Sequence, residues 1–185
     1  MGRQFSFFLS CCNFIPSCII WDMTRNNVTR LLDSRKIPYQ VFKVPAVKLG
    51  AVETAQILQV DPTLVYKTIV VKRERGKPIL AVIPGHHHVD LKLLAYALGE
   101  KKLVLPTESE AEKMTGLQAG GISPLALIQR GFQVVLSAEA RSLAHIHVSG
   151  GERGLNIRIP VQSLVELTHA DILNISIPGE VNTNI

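Results

Sequence analysis

Three observations predict an α+β fold in which helices flank a curved sheet, wholly or partly closed into a barrel. Short runs of β-branched residues alternate with amphipathic stretches at helical spacing, in mixed order and without an internal repeat. Capping residues and glycines punctuate the helical stretches. A chain of 185 residues, 46% hydrophobic and 19% charged, can bury one domain's core and lacks the composition of a disordered protein.

The elements follow in order. Residues 26–36 (NNVTRLLDSRK) put Val28, Leu31 and Leu32 on one helical face and stop before Ile37-Pro38, because a residue preceding proline is pushed out of the helical region. Residues 39–44 (YQVFKV) alternate as a strand does. A helix is expected over 52–59, and Asp61-Pro62 fits an N-cap with proline at the first helical position of a short turn. Lys67–Lys72 and Ile79–Ile83 read as strands joined by a polar turn at 73–77. Asp90 caps a helix that runs through Leu98 and stops at Gly99. Thr107 and Glu110 are spaced as a capping box for a helix that ends at Gly116. Ser123 is read as the N-cap, and Pro124 as the first residue, of a helix over Leu125–Arg130 that stops at Gly131. Strands are expected at Gln133–Leu136, Ala144–Val148 and Asn156–Ile159, and a helix at Val161–Leu167.

The organisation expected is an N-terminal extension of no assigned role (1–22), one domain (23–177) and a flexible tail (178–185). The extension is apolar and aromatic, and it holds all three cysteines, Cys11, Cys12 and Cys18. Its apolar run is broken by Asn13 and Pro16, too short and interrupted for a membrane span, and no small-x-small cleavage site follows it. Met23 is read as the functional start. A disulfide framework, a thiolate zinc site and a cysteine nucleophile are absent from residues 23–185, which agrees with a reducing, cytoplasmic setting. Lys plus Arg number 20 and Asp plus Glu 15; residues 1–22 hold only Arg3 and Asp22, so the surplus of five stays on the body. A modest basic excess suits contact with an RNA backbone, and equally an ordinary basic surface.

Three segments offer chemistry. In Gly120-Gly121-Ile122-Ser123-Pro124, a glycine pair opens onto a helix start, where free N–H groups can meet an oxyanion, carboxyl or phosphate; a plain loop and cap is the simpler reading. In Val65–Val71, Lys67 stands at the mouth of an apolar strand, either as a compact charge against a carbonyl or phosphate oxygen or as a lysine reaching for solvent. Val148–Leu155 runs a strand into another glycine turn. Two histidine groups, His86-His87-His88 and His145 with His147, have zinc-ligand potential. The lack of body cysteine and of patterned acidic partners favours a solvated loop and a strand surface instead.

Taken together and in order, VYKTIVV (65–71), VDLKLLAYALGEKKL (89–103), Thr115-Gly116, GGISPL (120–125) and VSGGERGL (148–155) resemble the YbaK/EbsC family of aminoacyl-tRNA deacylases, which is related to the editing insertion domain of bacterial prolyl-tRNA synthetase. The likeness runs from about Met23 to Asp171 and looks closest to the branch that removes cysteine from tRNA for proline. It implies a mixed, mostly antiparallel barrel-like sheet flanked by helices, with the aminoacyl end of a mischarged tRNA entering a pocket.

By position, the resemblance implies that Lys67 is the essential lysine, with Thr68 beside it. It also implies that Gly120, Gly121, Ser123 and Pro124 face the ester and terminal ribose, and that Ser149, Gly150 and Gly151 line the same pocket. It implies no metal or other cofactor, no membrane, and prolyl-tRNA synthetase as a protein partner. Two positions depart from the pattern. Val44 stands where an aromatic residue is expected at the end of the first strand, with Phe42 two residues earlier on the same face. Asn156 stands where members often carry aspartate. Both changes touch the pocket wall, and both bear on substrate identity.

The reaction implied is ester hydrolysis through a tetrahedral oxyanion, with Lys67 and the N–H groups of Gly120 and Gly121 as the preorganised donors. For a cysteinyl ester the resemblance implies attack by the substrate's own thiol, so the protein need supply only position and charge. Two readings compete with it. One is the same chemistry on another small residue such as alanine. The other is a non-catalytic module that binds tRNA or the synthetase.

Overall fold

The computed structural model describes residues 25–179; the expected extension (1–22) and residues 180–185 lie outside the described residues. Five α-helices and ten strands appear among the described residues: α1 (Asn27–Ser34), β1 (Gln40–Lys43), α2 (Ala51–Leu58), β2 (Tyr66–Arg73), β3 (Ile79–Pro84), β4 (His87–Val89), α3 (Leu91–Leu98), β5 (Leu103–Val104), α4 (Glu108–Thr115), β6 (Gln133–Ser137), β7 (His145–Ser149), β8 (Leu155–Pro160), α5 (Val161–Thr168), β9 (Asp171–Leu173) and β10 (Ser176–Pro178). Three short 3₁₀ turns intervene at Pro62–Leu64, Leu125–Arg130 and Ala138–Ser142.

The helix starts obey the local chemistry of the sequence. Asn26 Oδ1 accepts from the N–H groups of Val28 and Thr29, both at 3.0 Å. The Asp90 carboxylate does the same for Lys92 and Leu93. Thr107 and Glu110 close their capping box in both directions, the Glu110 carboxylate accepting from the Thr107 N–H at 2.8 Å. α3 and α4 then end on Gly99 and Gly116, each in the left-handed region.

The strands form a five-stranded mixed sheet in the order β5-β2-β3-β6-β9, a three-stranded antiparallel sheet β1-β8-β7, and the pair β10-β4. β2 and β3 are an antiparallel hairpin, as expected, whereas β6 runs parallel to β3, and β9 parallel to β6. The central strands are buried on both faces, and their side chains divide by alternation. Val70, Leu80, Val82, Val134 and Leu136 enter one core, against α1, α5 and the apolar face of β7-β8; Val71, Ile79, Ala81, Ile83 and Val135 enter the other, against α3. Each fully buried Ile, Leu or Val there contributes about 1.5–3 kcal/mol of transfer free energy.

The expected barrel does not close. The sheet of five and the sheet of three meet at an isolated parallel bridge between Val65 and His147, not through a continuous ladder. Further along the same edge, away from β3, β2 pairs with β5 only through Lys72 and Arg73. A gap is left along the outer edge of β2 between these two attachments. At the end of the described residues, β10 pairs through Pro178 with His87, and the Gly179 N–H donates to the His86 carbonyl at 2.9 Å.

Candidate functional site

The gap in the would-be barrel is a cleft of about 490 Å³. Strand chemistry explains what lines it. The Gly85 N–H donates to the Val65 carbonyl at 2.8 Å, and Pro84 opposite Tyr66 has no N–H to give. Antiparallel alternation therefore makes Lys67–Ile83 and Ile69–Ala81 the hydrogen-bonded pairs. Tyr66, Thr68 and Val70 turn their backbone N–H and C=O groups the other way. No strand pairs with β2 at Thr68 or Val70 on that side, so their backbone groups face the cleft they line.

Lys67 lies two residues past the Val65 bridge, half-buried in the cleft wall. Its ammonium has neither a hydrogen bond nor an ion pair among the described residues, and burial pushes its pKa below the ordinary lysine value. A cation held partly out of water without a counter-charge is poised to take an anionic or strongly polarised oxygen. The other charges at the cleft are spoken for: Lys48 and Glu108, both exposed, form an ion pair.

The glycine loop reaches the same cleft through Gly120. Gly120 lines the cleft at φ +86°, which a residue with a side chain rarely adopts. Gly121 is there for space: a Cβ on it would sit 3.0 Å from the Arg153 nitrogen and from Glu152 backbone atoms. The loop 120–124 and the turn 150–154 are thus packed backbone to backbone. Arg153 Nε fastens them by donating to the Ala119 carbonyl at 2.6 Å.

Two expectations for this loop change. The Gly121 N–H is not a free donor, because it closes a turn onto the Gln118 carbonyl at 2.8 Å; the Gly120 N–H has no partner among the described residues. Ser123 does not cap the following turn either. Pro124 already has helical dihedrals, while the Ser123 hydroxyl is fully buried without a hydrogen-bond partner. The turn itself is a 3₁₀ segment, too short to gather an appreciable helix dipole.

Of the residues singled out in the sequence, Lys67, Thr68, Gly120 and Ser149 line one cleft. Gly121, Ser123, Pro124, Gly150 and Gly151 stand behind it. Gly150 donates its N–H to the Leu155 carbonyl at 2.9 Å, and Gly151 sits against Ala126 and Val28. Phe42 is also set back: its ring packs on His147 with centroids 5.2 Å apart, while Val44 reaches the cleft.

Two of the histidines, one from each group, are not the solvated loop and strand surface expected, whereas His88 is exposed as expected. His87 is buried, its Nδ1 2.9 Å from Ser176 Oγ and 3.6 Å from Glu139 Oε1. His147 is 2% exposed and hydrogen-bonded to Asn156. Both rings are pushed toward the neutral form, chiefly by burial. Among the described residues no three His, Cys, Asp or Glu side chains gather as a metal site would need. The same-face alternation of His145 and His147 was visible in the sequence; that Asn156 would meet the second of them was not.

A second hollow, about 590 Å³, opens at the other end of β2 among Lys72, Arg73, Lys77 and Arg130. It offers no reactive group. Arg73 pairs with Glu100 at 3.0 Å, and Lys77 and Arg130 are turned onto the backbone carbonyls of Arg130 and Thr115.

Comparison with known proteins bears on the family of the chain. Residues 47–167, which include β2 and the glycine loop, match the aminoacyl-tRNA editing domain. A curated protein of Enterococcus faecalis, "Putative Cys-tRNA(Pro)/Cys-tRNA(Cys) deacylase EbsC", is 31% identical over 154 residues, 82% of this chain and 93% of its own. Among solved structures, a hypothetical protein superposes with a TM-score of 0.74 at 23% identity, covering 81% of this chain and 99% of its own. A "putative trans-editing enzyme for prolyl tRNA synthetase" superposes at 0.70 and 23% identity, covering 81% and 96%. No helix among the described residues is long and apolar enough to cross a membrane. The family match spans most of the chain and the curated relative shares nearly a third of its residues over almost its full length: the chain belongs to the aminoacyl-tRNA editing domain family.

Proposed function

We propose that the protein hydrolyses the ester of a mischarged tRNA in the cleft along β2, with cysteinyl-tRNA(Pro) as its substrate and cysteinyl-tRNA(Cys) as a second. Supporting this is the combination, in a member of the editing family, of a half-buried lysine without a counter-charge and a glycine of the 120–124 loop lining the same cleft. The ester carbonyl lies against the Lys67 ammonium, which stabilises the oxyanion as the tetrahedral intermediate forms. The N–H of Gly120 and the cleft-facing N–H of Thr68 supply further donors; the Gly121 N–H, engaged with Gln118, does not.

For a cysteinyl ester the nucleophile is the substrate's own thiolate. Attack on the ester carbonyl breaks the bond to the ribose oxygen, which leaves as a hydroxyl after taking up a proton. The strained thiolactone then opens with water. The protein works in the cytoplasm on released aminoacyl-tRNA, with prolyl-tRNA synthetase as its partner. A turnover assay on cysteinyl-, alanyl- and seryl-tRNA tests the reading: preferential loss of cysteine is expected. Preferential loss of alanine would replace the substrate, and saturable binding without turnover of any would reduce the protein to a tRNA-binding module.

A further inference from the structure

His147 and Asn156 meet on the polar face of the three-stranded sheet, and the proposed reaction uses neither. Their positions follow from register. Phe42 pairs with Asn156 across β1 and β8, and Asn156 pairs with Ser149 across β8 and β7, so the three side chains form one row on one face. His147, two residues before Ser149, shares that face. The opposite face, with Ile146, Val148, Ile157 and Ile159, is in the core.

His147 Nδ1 lies 2.9 Å from Asn156 Oδ1, with Asn156 5% exposed. An amide oxygen can only accept, so Nδ1 carries the proton and donates it. The amide's orientation follows. With its oxygen turned to the imidazole, its NH2 group turns away. That nitrogen has no partner among the described residues, yet it is not sealed from solvent, and Asn156 lines the cleft. The amide nitrogen is therefore left as a donor at the wall of the cleft in which the ester would lie. An aspartate here would present an acceptor, suited to the substrate's α-ammonium. Asn156 presents the reverse.

We propose that Asn156 is a substrate-binding donor of this cleft, oriented by His147, and that it takes an oxygen of the aminoacyl ester or its ribose, not the α-amino group. The inference rests on the deacylase reading above. Phe42 supports the arrangement, its ring packed at a tilt on that of His147. His147 is a positioning residue: it acts on the substrate only through the amide.

The decisive variant is Asn156→Asp, which keeps the volume and still accepts from His147 but has no donor. Its kcat/KM on cysteinyl-tRNA should fall by about 10- to 100-fold, the range expected when a hydrogen bond to a charge-bearing group is lost. Circular dichroism should show the fold retained, so that the loss is not one of folding. A second pair approaches the amide from the other side. His147→Phe removes the donor that holds it and should lower kcat/KM about tenfold. His147→Asn, whose amide nitrogen stands where Nδ1 stood, should restore most of that loss; a merely space-filling histidine would be replaced better by Phe than by Asn. Full activity of Asn156→Asp would mean that an acceptor faces the cleft, and equal activity of the two His147 variants would remove the positioning role; either overturns the inference while the deacylase reading stands. A wild-type protein that clears no mischarged tRNA overturns both.

Discussion

Val65 pairs with His147 in a parallel bridge, and the pairing goes no further along β2. Had it continued, β7 would have covered the edge at Thr68 and Val70 and closed the barrel. Its stopping there opens the cleft that Lys67 enters two residues later. The same contact sets His147 beside the site wall with its ring turned onto Asn156.

Lys67→Met should separate activity from stability. Deacylation should fall by about 100- to 1000-fold, as for loss of one oxyanion-type donor. Stability should not fall. Because burial holds the folded-state pKa of Lys67 below its unfolded value, carrying the charge disfavours the folded state at neutral pH, a cost relieved as pH rises through that lowered pKa. The apolar methionine avoids it. Denaturant titration at pH 7 should place the variant at or above wild type; a loss of stability together with activity would mean that Lys67 has a structural partner instead.

Gly121→Ala should lower activity through geometry and not through a lost donor. Its N–H would remain on Gln118, but the added Cβ would press on Glu152 and Arg153 at 3.0 Å. Overpacking of backbone against backbone costs about 1–3 kcal/mol, and relief by moving the loop would carry Gly120 out of line with the cleft. Differential scanning calorimetry should show a lower Tm and the turnover assay a reduced kcat. An unaltered Tm would mean that the two loops are less tightly apposed than described.

Much of this was legible from the sequence because it is written locally. Asp90, Thr107 and Glu110 declare helix starts by their own hydrogen-bonding chemistry, and Gly99 and Gly116 declare stops. β5 was missed because two residues carry no periodicity, and β4, β9 and β10 are three residues each. The order of β6 and β9 beside β3 is a long-range fact that no local pattern contains. The site divided in the same way. Lys67 stood out by its strand context and Gly120 by its loop, whereas the engagement of Gly121 with Gln118 and the burial of Ser123 depend on how the loop folds back. His147 looked like strand surface because its neighbours along the chain say nothing of the bridge to Val65 above it.

Acid should weaken the fold partly through His87. Burial, followed by the neighbouring His86, pushes its pKa below the usual histidine value; Glu139 opposes this, and Lys67 and His88 add to it. The unfolded chain, with a pKa of about 6.5, therefore takes up a proton first as pH falls. The stability from a neutral His87 is complete above that pH and lost as pH drops through 6.5 toward the folded-state value. Asparagine in its place does not titrate, so His87→Asn should lose less stability than wild type between pH 7.5 and 5.5. Some slope will remain from His147, whose pKa burial also lowers. Parallel curves for the two proteins would exclude His87 as a source.

The pH–rate profile should distinguish the substrate's chemistry from the protein's. A cysteinyl ester brings a thiol of pKa about 8.5, so a rate that depends on its thiolate should climb as pH rises toward that value. The role proposed for Lys67 acts in the opposite sense. The lysine is useful only while protonated, and its pKa lies below the ordinary 10.5 because of burial, so the rate should turn over before a solvated lysine would lose its proton. The rising limb belongs to cysteine alone, whereas the falling limb belongs to every substrate. After subtraction of uncatalysed hydrolysis, seryl-tRNA should show no climb through the thiol range and should be cleared far more slowly. A cleft judging shape could not separate these near-isosteres by more than about 1–3 kcal/mol, or 10- to 200-fold. Comparable profiles for the two esters would make water the nucleophile. Selection would then rest on the cleft wall, with Val44 and Asn156 the first positions to exchange.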